Sequence, residues 1–256
     1  METKTGVESA PQENNEKTDK PVDINSFTFS KSSMNALLAC PKQFEFQYVK
    51  KKKGGSVHPS AVKGIKIHSI LEKVNKNEVC LTEISKSFKI HIDNYVRFLK
   101  ENKLKLPMYS EKEWKMDFEG IHFKGIIDAI FVDGGRAIVL DYKTGMQHST
   151  LNDTRFELQL YSLLAEKNTG LDVMRYGILY TGSGLFLHEG NDKKYLSVME
   201  QIRKVRQLLD EKNFKAKYQH YTCNLCSFKD FCTEYGRIIG VKVKDEDTID
   251  GNKENQ

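Results

Sequence analysis

Two acidic residues and a lysine interrupt strongly apolar segments near the middle of the chain. Asp128 lies within GIIDAIF, and Asp141 ends the run IVLD two residues before Lys143. Side chains two apart on a β-strand point to the same face, so we expect Asp141 and Lys143 to lie side by side. A carboxylate beside an ammonium group can be a simple salt bridge, or the two groups can belong to a metal-dependent active site.

The two aspartates are also predicted to meet across a hairpin. A two-residue turn at Gly134–Gly135 sets a strand register that places Asp128 opposite Asp141. Directly opposed Cβ atoms lie about 4.5–5.5 Å apart, and paired carboxylates repel each other unless a cation lies between them. Mg²⁺ and Mn²⁺ prefer carboxylate oxygen ligands. The alternative is that one aspartate caps a turn while the other pairs with Lys143.

His68 is a possible third ligand, on the predicted helix that contains GIKIHSILE. Imidazole binds Mn²⁺ and other transition metals well. A single histidine on a helix is more often structural or exposed, so the metal interpretation of His68 depends on the two aspartates.

The surrounding pattern predicts the elements that must position these residues. Period-two alternation from Trp114 to Gly145 indicates three antiparallel strands, with turns at Glu119–Gly120 and Gly134–Gly135. Ser30, Ser32 or Ser33 can cap a short first helix, and Pro41 marks either a break or the first turn of a second. Further helices are predicted over residues 61–74, 81–104, 155–167 and 192–214. The apolar face of the last helix is assigned to Leu196, Met199, Ile202, Val205 and Leu209. This order predicts an α/β fold with a mixed sheet.

The chain has 256 residues and a formal net charge of +5, distributed unevenly. Residues 1–25 and 241–256 are acidic, polar and predicted to be disordered. Residues 26–240 are predicted to form one basic domain, and basic charge suits a polyanion partner, although many basic proteins bind no nucleic acid. The sequence shows neither a membrane-spanning apolar run nor a signal peptide, so we expect a cytoplasmic protein without a membrane partner.

A cysteine cluster near the C-terminus predicts a second metal centre. Three cysteines follow the spacing C-x2-C-x5-C: Cys223, Cys226 and Cys232. Three thiolates need a fourth ligand for tetrahedral zinc or for a four-iron cluster. Local His220 would complete a zinc site, whereas distant Cys40 would supply a fourth sulfur. Cys80 falls outside this pattern.

The segments GIKIH, GIIDAIF, VLDYKTG and LQLY, in this order, resemble the RecB-type nucleases of the PD-(D/E)XK superfamily over roughly residues 28–236. The resemblance implies a restriction-endonuclease-like core, with a central mixed β-sheet flanked by helices. It also implies a deoxyribonuclease that hydrolyses phosphodiester bonds with Mg²⁺ or Mn²⁺. The implied metal ligands are His68, Asp128, Asp141 and the backbone carbonyl of Tyr142. The implied catalytic residues are Asp128, Asp141, Lys143 and Tyr161, with Lys143 positioning or activating the attacking water.

The sequence departs from the family pattern in two places. Ile127, rather than proline, precedes Asp128. Glu157 stands four residues before Tyr161, where the family usually has glutamine, and Gln159 stands two before. Residues four apart share a helix face. Glu157 is therefore expected to face the site as an extra acid, unless Gln159 is used with shifted geometry.

One branch of the resembled family, which includes the CRISPR-adaptation nucleases and the AddB subunit, has one cysteine near its N-terminus and three near its C-terminus. These cysteines hold a [4Fe–4S] cluster that joins the two ends of the domain. The resemblance therefore favours Cys40 over His220 as the fourth ligand, with zinc as the alternative metal. The implied partner is DNA, chiefly single-stranded ends, in repair, recombination or CRISPR adaptation, with protein partners in those processes.

Two other functions compete with the nuclease. The first is a catalytically weak DNA-binding or assembly module that carries a structural metal cluster. The second is a zinc-bearing structural adaptor, which leaves the D-x-K unit at Asp141–Lys143 unexplained.

Overall fold

The computed structural model describes residues 24–52, 59–145, 150–191, 195–211 and 214–245. Most of the two predicted acidic tails, residues 1–23 and 246–256, lies outside the described residues. The described residues begin with a 3-10 turn, Ile24–Ser26, at the predicted boundary of the N-terminal tail. Residues 241–245 have no regular secondary structure.

The described strands form one six-stranded mixed sheet. The long β3 pairs with antiparallel β2 on one edge, and with antiparallel β4 and the short parallel β1 on the other. Strand β5 runs parallel to β4 and forms an antiparallel hairpin with β6. The mixed sheet and the three-stranded meander are thus confirmed. The strands are β1 Thr28–Phe29, β2 Tyr109–Phe118, β3 Ile121–Asp133, β4 Arg136–Lys143, β5 Val173–Tyr180 and β6 Leu185–Gly190.

Helices cover both faces of the sheet, as the α/β prediction requires. Ser30 caps the first helix, its hydroxyl accepting from Ser33 N at 3.2 Å, and Pro41 occupies the first turn of the second. The second helix continues as a π-helical turn, Glu45–Val49. The helices are α1 Lys31–Ala39, α2 Pro41–Phe44, α3 Pro59–Asn75, α4 Lys86–Glu101, α5 Leu151–Thr169, α6 Leu196–Asp210, α7 His220–Asn224 and α8 Thr233–Ile239. Short 3-10 turns occur at Leu81–Glu83 and Lys229–Phe231.

Two hydrophobic clusters fill the spaces between helices and sheet. Helices α1, α5 and α6 bury apolar side chains against one face, and α3 and α4 cover the other. Phe44 and Phe46 are buried and belong to the core. In α6 the buried face includes Ile202 and Val205, but the prediction for Leu196 is wrong, because this first helical residue is 63% exposed. Among the described helices, none has both the length and the apolar character to cross a membrane.

This architecture brings the candidate residues to one end of β3 and β4. The β3–β4 hairpin carries Asp128, Asp141 and Lys143, while α3 delivers His68 from one face. Helix α5 returns the chain from β4 to β5 and contributes Glu157 from the other face. The site therefore depends on elements that are remote in sequence.

Candidate active site

Asp128 and Asp141 lie at the end of the predicted hairpin register. Asp133 pairs with Arg136 across the turn, and the ladder continues without a slip to Ala129 and Leu140. Beyond this pair the backbone ladder ends, and the Asp128 side chain takes its place: Asp128 Oδ2 accepts a hydrogen bond from the Tyr142 backbone N at 2.5 Å. Both aspartates are buried, with 7% and 5% of their surfaces exposed. Asp128 was predicted to lie directly opposite Asp141; instead its carboxylate binds the β4 backbone at Tyr142.

Glu111, which the sequence analysis missed, adds a third acid beside Asp128. Ser110 pairs with Ala129 and Lys112 with Ile127, so Glu111 occupies the position next to Asp128 on the neighbouring strand. Its backbone has a φ of 48°, in the left-handed region. Three acids thus lie in a row across β2, β3 and β4. The register logic applied to Gly134–Gly135 would have found Glu111 had it also been applied to the turn at Glu119–Gly120.

His68 links these acids to the backbone of β4. Its Nδ1 lies 2.8 Å from Glu111 Oε1 and 3.6 Å from Asp128 Oδ1, and its Nε2 lies 3.0 Å from Tyr142 O. Burial opposes protonation of the ring, but hydrogen bonds and charges from Asp128 and Glu111 outweigh it and raise the pKa of His68 to about 10. Both ring nitrogens thus lie within hydrogen-bonding distance of oxygen atoms, Nδ1 beside Glu111 and Nε2 beside the Tyr142 carbonyl.

Asp141 and Lys143 share a face, as predicted from the period of a strand. Lys143 Nζ lies 2.8 Å from Asp141 Oδ2. Burial, reinforced by the charge of Asp128, raises the pKa of Asp141 to about 7, although Lys143 opposes that shift. Burial lowers the pKa of Lys143, but the charges of Asp141 and Glu157 outweigh it and the net shift is upward. The ion pair predicted as an alternative is thus present, and it lies within a dense group of acids.

Glu157, and not Gln159, faces this group. Glu157 is 5% exposed, and its Oε2 lies 3.8 Å from Lys143 Nζ. Its Oε1 lies 2.5 Å from Lys31 Nζ, a second lysine that the sequence analysis did not single out. Gln159 instead donates from Nε2 to the Tyr176 hydroxyl at 3.3 Å. This arrangement follows the helical face that residues four apart share.

Tyr161 lies next to the acids and against the middle of β3. A side chain added at Gly125 would begin 3.1 Å from Tyr161 Cε1, so the ring packs directly on a glycine that leaves room for it. Burial, followed by the charges of Glu157 and Asp141, raises the pKa of the Tyr161 hydroxyl far above its ordinary value. The ring therefore stays a neutral hydrogen-bonding group at physiological pH.

The donor set fits a divalent cation. His68, Glu111 and Asp128 each offer a ligand atom, and these atoms lie within 4.8 Å of one another. Asp141 does not belong to that tight group and contacts Lys143. Buried carboxylates with too few counter-charges, together with an imidazole and a backbone carbonyl, are ligands that Mn²⁺ and Mg²⁺ accept.

Comparison with known proteins identifies the family. Residues 81–233, more than half of the chain, match the sequence model of the PD-(D/E)XK nuclease superfamily. The chain belongs to this superfamily. An α/β core with a mixed central sheet flanked by helices is consistent with its restriction-endonuclease-like fold. The matched segment contains the acids of the candidate site, and the superfamily is typically metal-dependent.

One solved structure agrees with the fold of this PD-(D/E)XK protein. A protein from Eubacterium rectale described as a "Putative exonuclease" has a TM-score of 0.52 and 13% sequence identity, over 86% of this chain and 93% of its own. A second structure, of the protein SSO0001, has 16% identity over 84% of this chain and 88% of its own, with a TM-score of 0.44 that is too low to establish a shared fold. No curated protein matches the chain.

The cysteines predicted to form a second centre line a single pocket of this PD-(D/E)XK protein. That pocket is bordered by Cys40, Cys223, Cys226 and Cys232. Backbone amides donate to two of the sulfurs, from Lys217 N to Cys40 at 3.5 Å and from Gln219 N to Cys223 at 3.3 Å. His220 instead contacts Tyr218 and Asn224, and Cys80 is an exposed thiol beside Thr82.

Proposed function

We propose that this protein is a metal-dependent deoxyribonuclease that acts as an exonuclease on single-stranded DNA ends. One observation carries the proposal. Two buried aspartates and a lysine meet at the end of a strand hairpin, and His68 lies against the same backbone. A structural salt bridge needs one acid and one base, whereas here four acids, Glu111, Asp128, Asp141 and Glu157, lie around a single site. Phosphodiester hydrolysis accounts for this excess of carboxylates.

The ligands that would hold the metal are His68, Asp128, Asp141 and the carbonyl oxygen of Tyr142. Bound Mg²⁺ or Mn²⁺ supplies a water made nucleophilic at neutral pH and a Lewis acid for a phosphoryl oxygen. Glu111 lies in the close group with His68 and Asp128, but we assign it to the His68 ring and not to the metal: it would hold the ring through Nδ1, as carboxylates commonly do for metal-binding histidines, and so leave Nε2 for the metal.

Lys143 would hold the attacking water or a phosphate oxygen. Its ammonium group has three donors, and Asp141 and Glu157 fix its direction from two sides. A cation placed where charge develops in the transition state stabilises that state. Tyr161 is proposed to contribute from its place against Gly125, where its neutral hydroxyl stays available as a hydrogen-bond donor.

The test is the hydrolysis of end-labelled single-stranded DNA by protein purified without oxygen. Wild type with Mn²⁺ should degrade the strand, whereas EDTA or the substitution Asp141→Ala should abolish degradation. A circular single strand should resist cleavage, because an exonuclease needs an end. Equal degradation by wild type and Asp141→Ala would mean that the chemistry lies elsewhere.

We propose a [4Fe–4S] cluster on Cys40, Cys223, Cys226 and Cys232, with zinc as the alternative. Backbone amides that donate to two of the sulfurs support a metal-thiolate centre, since such bonds tune cluster potentials. Iron and zinc analysis of Cys40→Ala and His220→Ala distinguishes the two centres.

We further propose that residues 26–240 form one nuclease domain between two acidic tails, with the cysteine centre joining its ends. The proposed partner is single-stranded DNA, together with proteins of repair, recombination or CRISPR adaptation. The cytoplasmic location stays a prediction. These biological assignments rest on the resemblance to RecB-type nucleases.

A second candidate is a catalytically weak DNA-binding or assembly module. Glu157 favours it, because an acid stands where the resembled family usually has glutamine, and it contacts Lys143. A folded, metal-loaded wild type that binds single-stranded DNA without degrading it would favour this candidate over the nuclease.

A further inference from the structure

A cleft opens beside the candidate active site, on the face of the sheet covered by α1, α5 and α6. Its volume is about 580 Å³, and Lys143 lines it together with Lys31 and Asn35 of α1, Phe156 of α5 and Gln201 of α6. The cleft therefore begins at the proposed catalytic lysine and extends toward the N-terminal helix. Lys31 itself has no role in the chemistry proposed above.

Lys31 and Lys143 are coupled through one carboxylate. Glu157 Oε1 lies 2.5 Å from Lys31 Nζ, and its Oε2 lies 3.8 Å from Lys143 Nζ. The side chains of Lys31 and Lys143 are 28% and 34% exposed, whereas that of Glu157 is 7% exposed. A molecule that enters the cleft thus meets the two partly exposed ammonium groups first, because the Glu157 carboxylate between them is buried.

We propose that this cleft binds single-stranded DNA through a phosphate next to the scissile one, and that Lys31 is the residue that contacts it. The inference deepens the proposed nuclease function and rests on it. Lys31 and Lys143 share the Glu157 carboxylate, and Lys143 also contacts Asp141, but both ammonium groups stay partly exposed, so neighbouring phosphates of a strand can each meet one of them. Lys31 keeps donors for a phosphate while it contacts Glu157, because an ammonium group has three.

The ring of Phe156 favours a single strand over a duplex in this cleft. Phe156 is half-buried against the core and lines the cleft alongside Lys31. Single-strand sites combine basic groups on the backbone with aromatic rings on which unpaired bases stack. In a duplex the base faces are covered by their neighbours, so the ring would have no base to contact.

The experiment measures the binding of a fluorescently labelled oligothymidylate to the full chain, purified without oxygen, in EDTA and over a range of KCl concentrations. Each phosphate contact on a single strand contributes about 0.7 to the slope of log affinity against log salt. Lys31→Gln should reduce that slope by about 0.7. Lys31→Arg should keep it, and so should Lys100→Gln, an exposed lysine on α4 across the sheet.

Two further variants test the site without removing Lys31. Asn35 is exposed one helical turn after Lys31 and lines the same cleft, so Asn35→Lys should increase the slope by about 0.7. Phe156→Leu keeps an apolar side chain but removes the ring, and should weaken binding without changing the slope. In hydrolysis assays Lys31→Gln should raise KM much more than it lowers kcat.

An unchanged slope in both Lys31→Gln and Asn35→Lys would overturn the inference. If wild type binds and degrades the strand while these variants behave like it, only this cleft assignment fails. If wild type neither binds nor degrades single-stranded DNA, the proposed function fails and this inference fails with it. A lower melting temperature in Lys31→Gln with an unchanged slope would assign Lys31 a structural role.

Discussion

At the scale of single residues, the candidate site is marked by the positive backbone angle φ of Glu111. A φ of 48° is uncommon for a residue with a side chain, and such a conformation costs about 1–3 kcal/mol. Glu111 nevertheless adopts it near the start of β2, where its carboxylate contacts His68. Strained residues of this kind concentrate at functional sites because surrounding contacts hold them. We therefore assign Glu111 the task of positioning His68.

Replacing Glu111 with glutamine tests that assignment. Glu111→Gln should raise the Mn²⁺ concentration needed for half-maximal hydrolysis by about 10- to 100-fold, because losing a carboxylate that orients a metal-binding histidine usually weakens metal binding by that factor. The measurement is the Mn²⁺ concentration that gives half-maximal activity. Glu113→Gln, an exposed acid two residues along the same strand, is the matched control and should behave like wild type. Equal metal dependence in both variants would contradict the role of Glu111.

Some contacts of the candidate site were predictable from the sequence and others were not. Asp128, Asp141 and Lys143 were predictable because strand period and a two-residue turn fix which side chains share a face. The contact of Lys31 with Glu157 was not, because it depends on how two helices far apart in the chain pack on one sheet face. Local patterns carry the first kind of information and not the second.

At the scale of elements, a polar network fixes helix α4 behind the end of β4. His91 Nδ1 lies 2.9 Å from Thr181 Oγ1, and Thr181 N donates to the Lys143 carbonyl at 2.9 Å. Asn94 Nδ2 donates to the Thr181 carbonyl at 2.8 Å. The backbone of Lys143 is thereby held from the side of the sheet opposite to α5.

This network predicts a pH dependence of stability. Burial, with a smaller contribution from the charge of Lys63, lowers the pKa of His91 below that of the unfolded chain. Protons then bind the unfolded state more readily, so the free energy of unfolding should fall as pH drops below about 6.5. Urea unfolding at about pH 7.5 and about pH 5.5 measures the effect.

Substitution separates His91 from other titrating groups. His91→Gln keeps a hydrogen-bonding side chain toward Thr181 but cannot titrate, so this component of the pH dependence should disappear. His122→Gln, at an exposed position beside Asp117, is the control and should leave it in place. The assignment is wrong if His91→Gln destabilises the protein equally at both pH values.

The β5–β6 hairpin makes a second prediction at this scale. A Cβ atom added at Gly177 would lie 2.6 Å from the Leu187 carbonyl oxygen and 2.7 Å from Phe186 Cε2. Gly177→Ala should therefore lower the free energy of unfolding by about 1–3 kcal/mol, as overpacking does. Gly145→Ala is the control, since nothing lies within 4 Å of its added atom. Chemical denaturation of both variants is the measurement, and equal stabilities would contradict the close approach.

Predictions were most successful for elements and least successful at their ends. The turns at Glu119–Gly120 and Gly134–Gly135 set the register of three strands correctly, because turn glycines and alternation are local signals. The apolar face of α6 was correct at Ile202 and Val205 and wrong at Leu196. A helix begins to bury side chains only where it reaches the sheet, and sequence period alone does not locate that point.

At the scale of the whole molecule, the cysteine pocket joins the two ends of the domain. Cys40 ends α1, whereas Cys223, Cys226 and Cys232 belong to the segment around α7 and α8. Closing so long a loop is entropically costly, so a metal centre that binds all four thiolates should stabilise the folded chain.

Removing one thiolate tests that stabilisation. Cys40→Ala should lose bound metal and melt at a lower temperature, by about 2–4 °C for each kcal/mol of lost stability. Cys80→Ala removes an exposed thiol outside the pocket and should retain both metal content and melting temperature. Metal analysis beside thermal unfolding is the measurement, and a Cys40→Ala protein with full metal content would exclude Cys40 as a ligand.

The four cysteines of this pocket are made at very different times during synthesis of the chain. A ribosome adds about 5–20 residues each second, so Cys232 emerges roughly 10–40 s after Cys40. For almost all of that interval the Cys40 thiol lacks its three cysteine partners in the pocket. This corner of the fold is therefore completed only after Cys232 has emerged, long after the residues of α1 have been made.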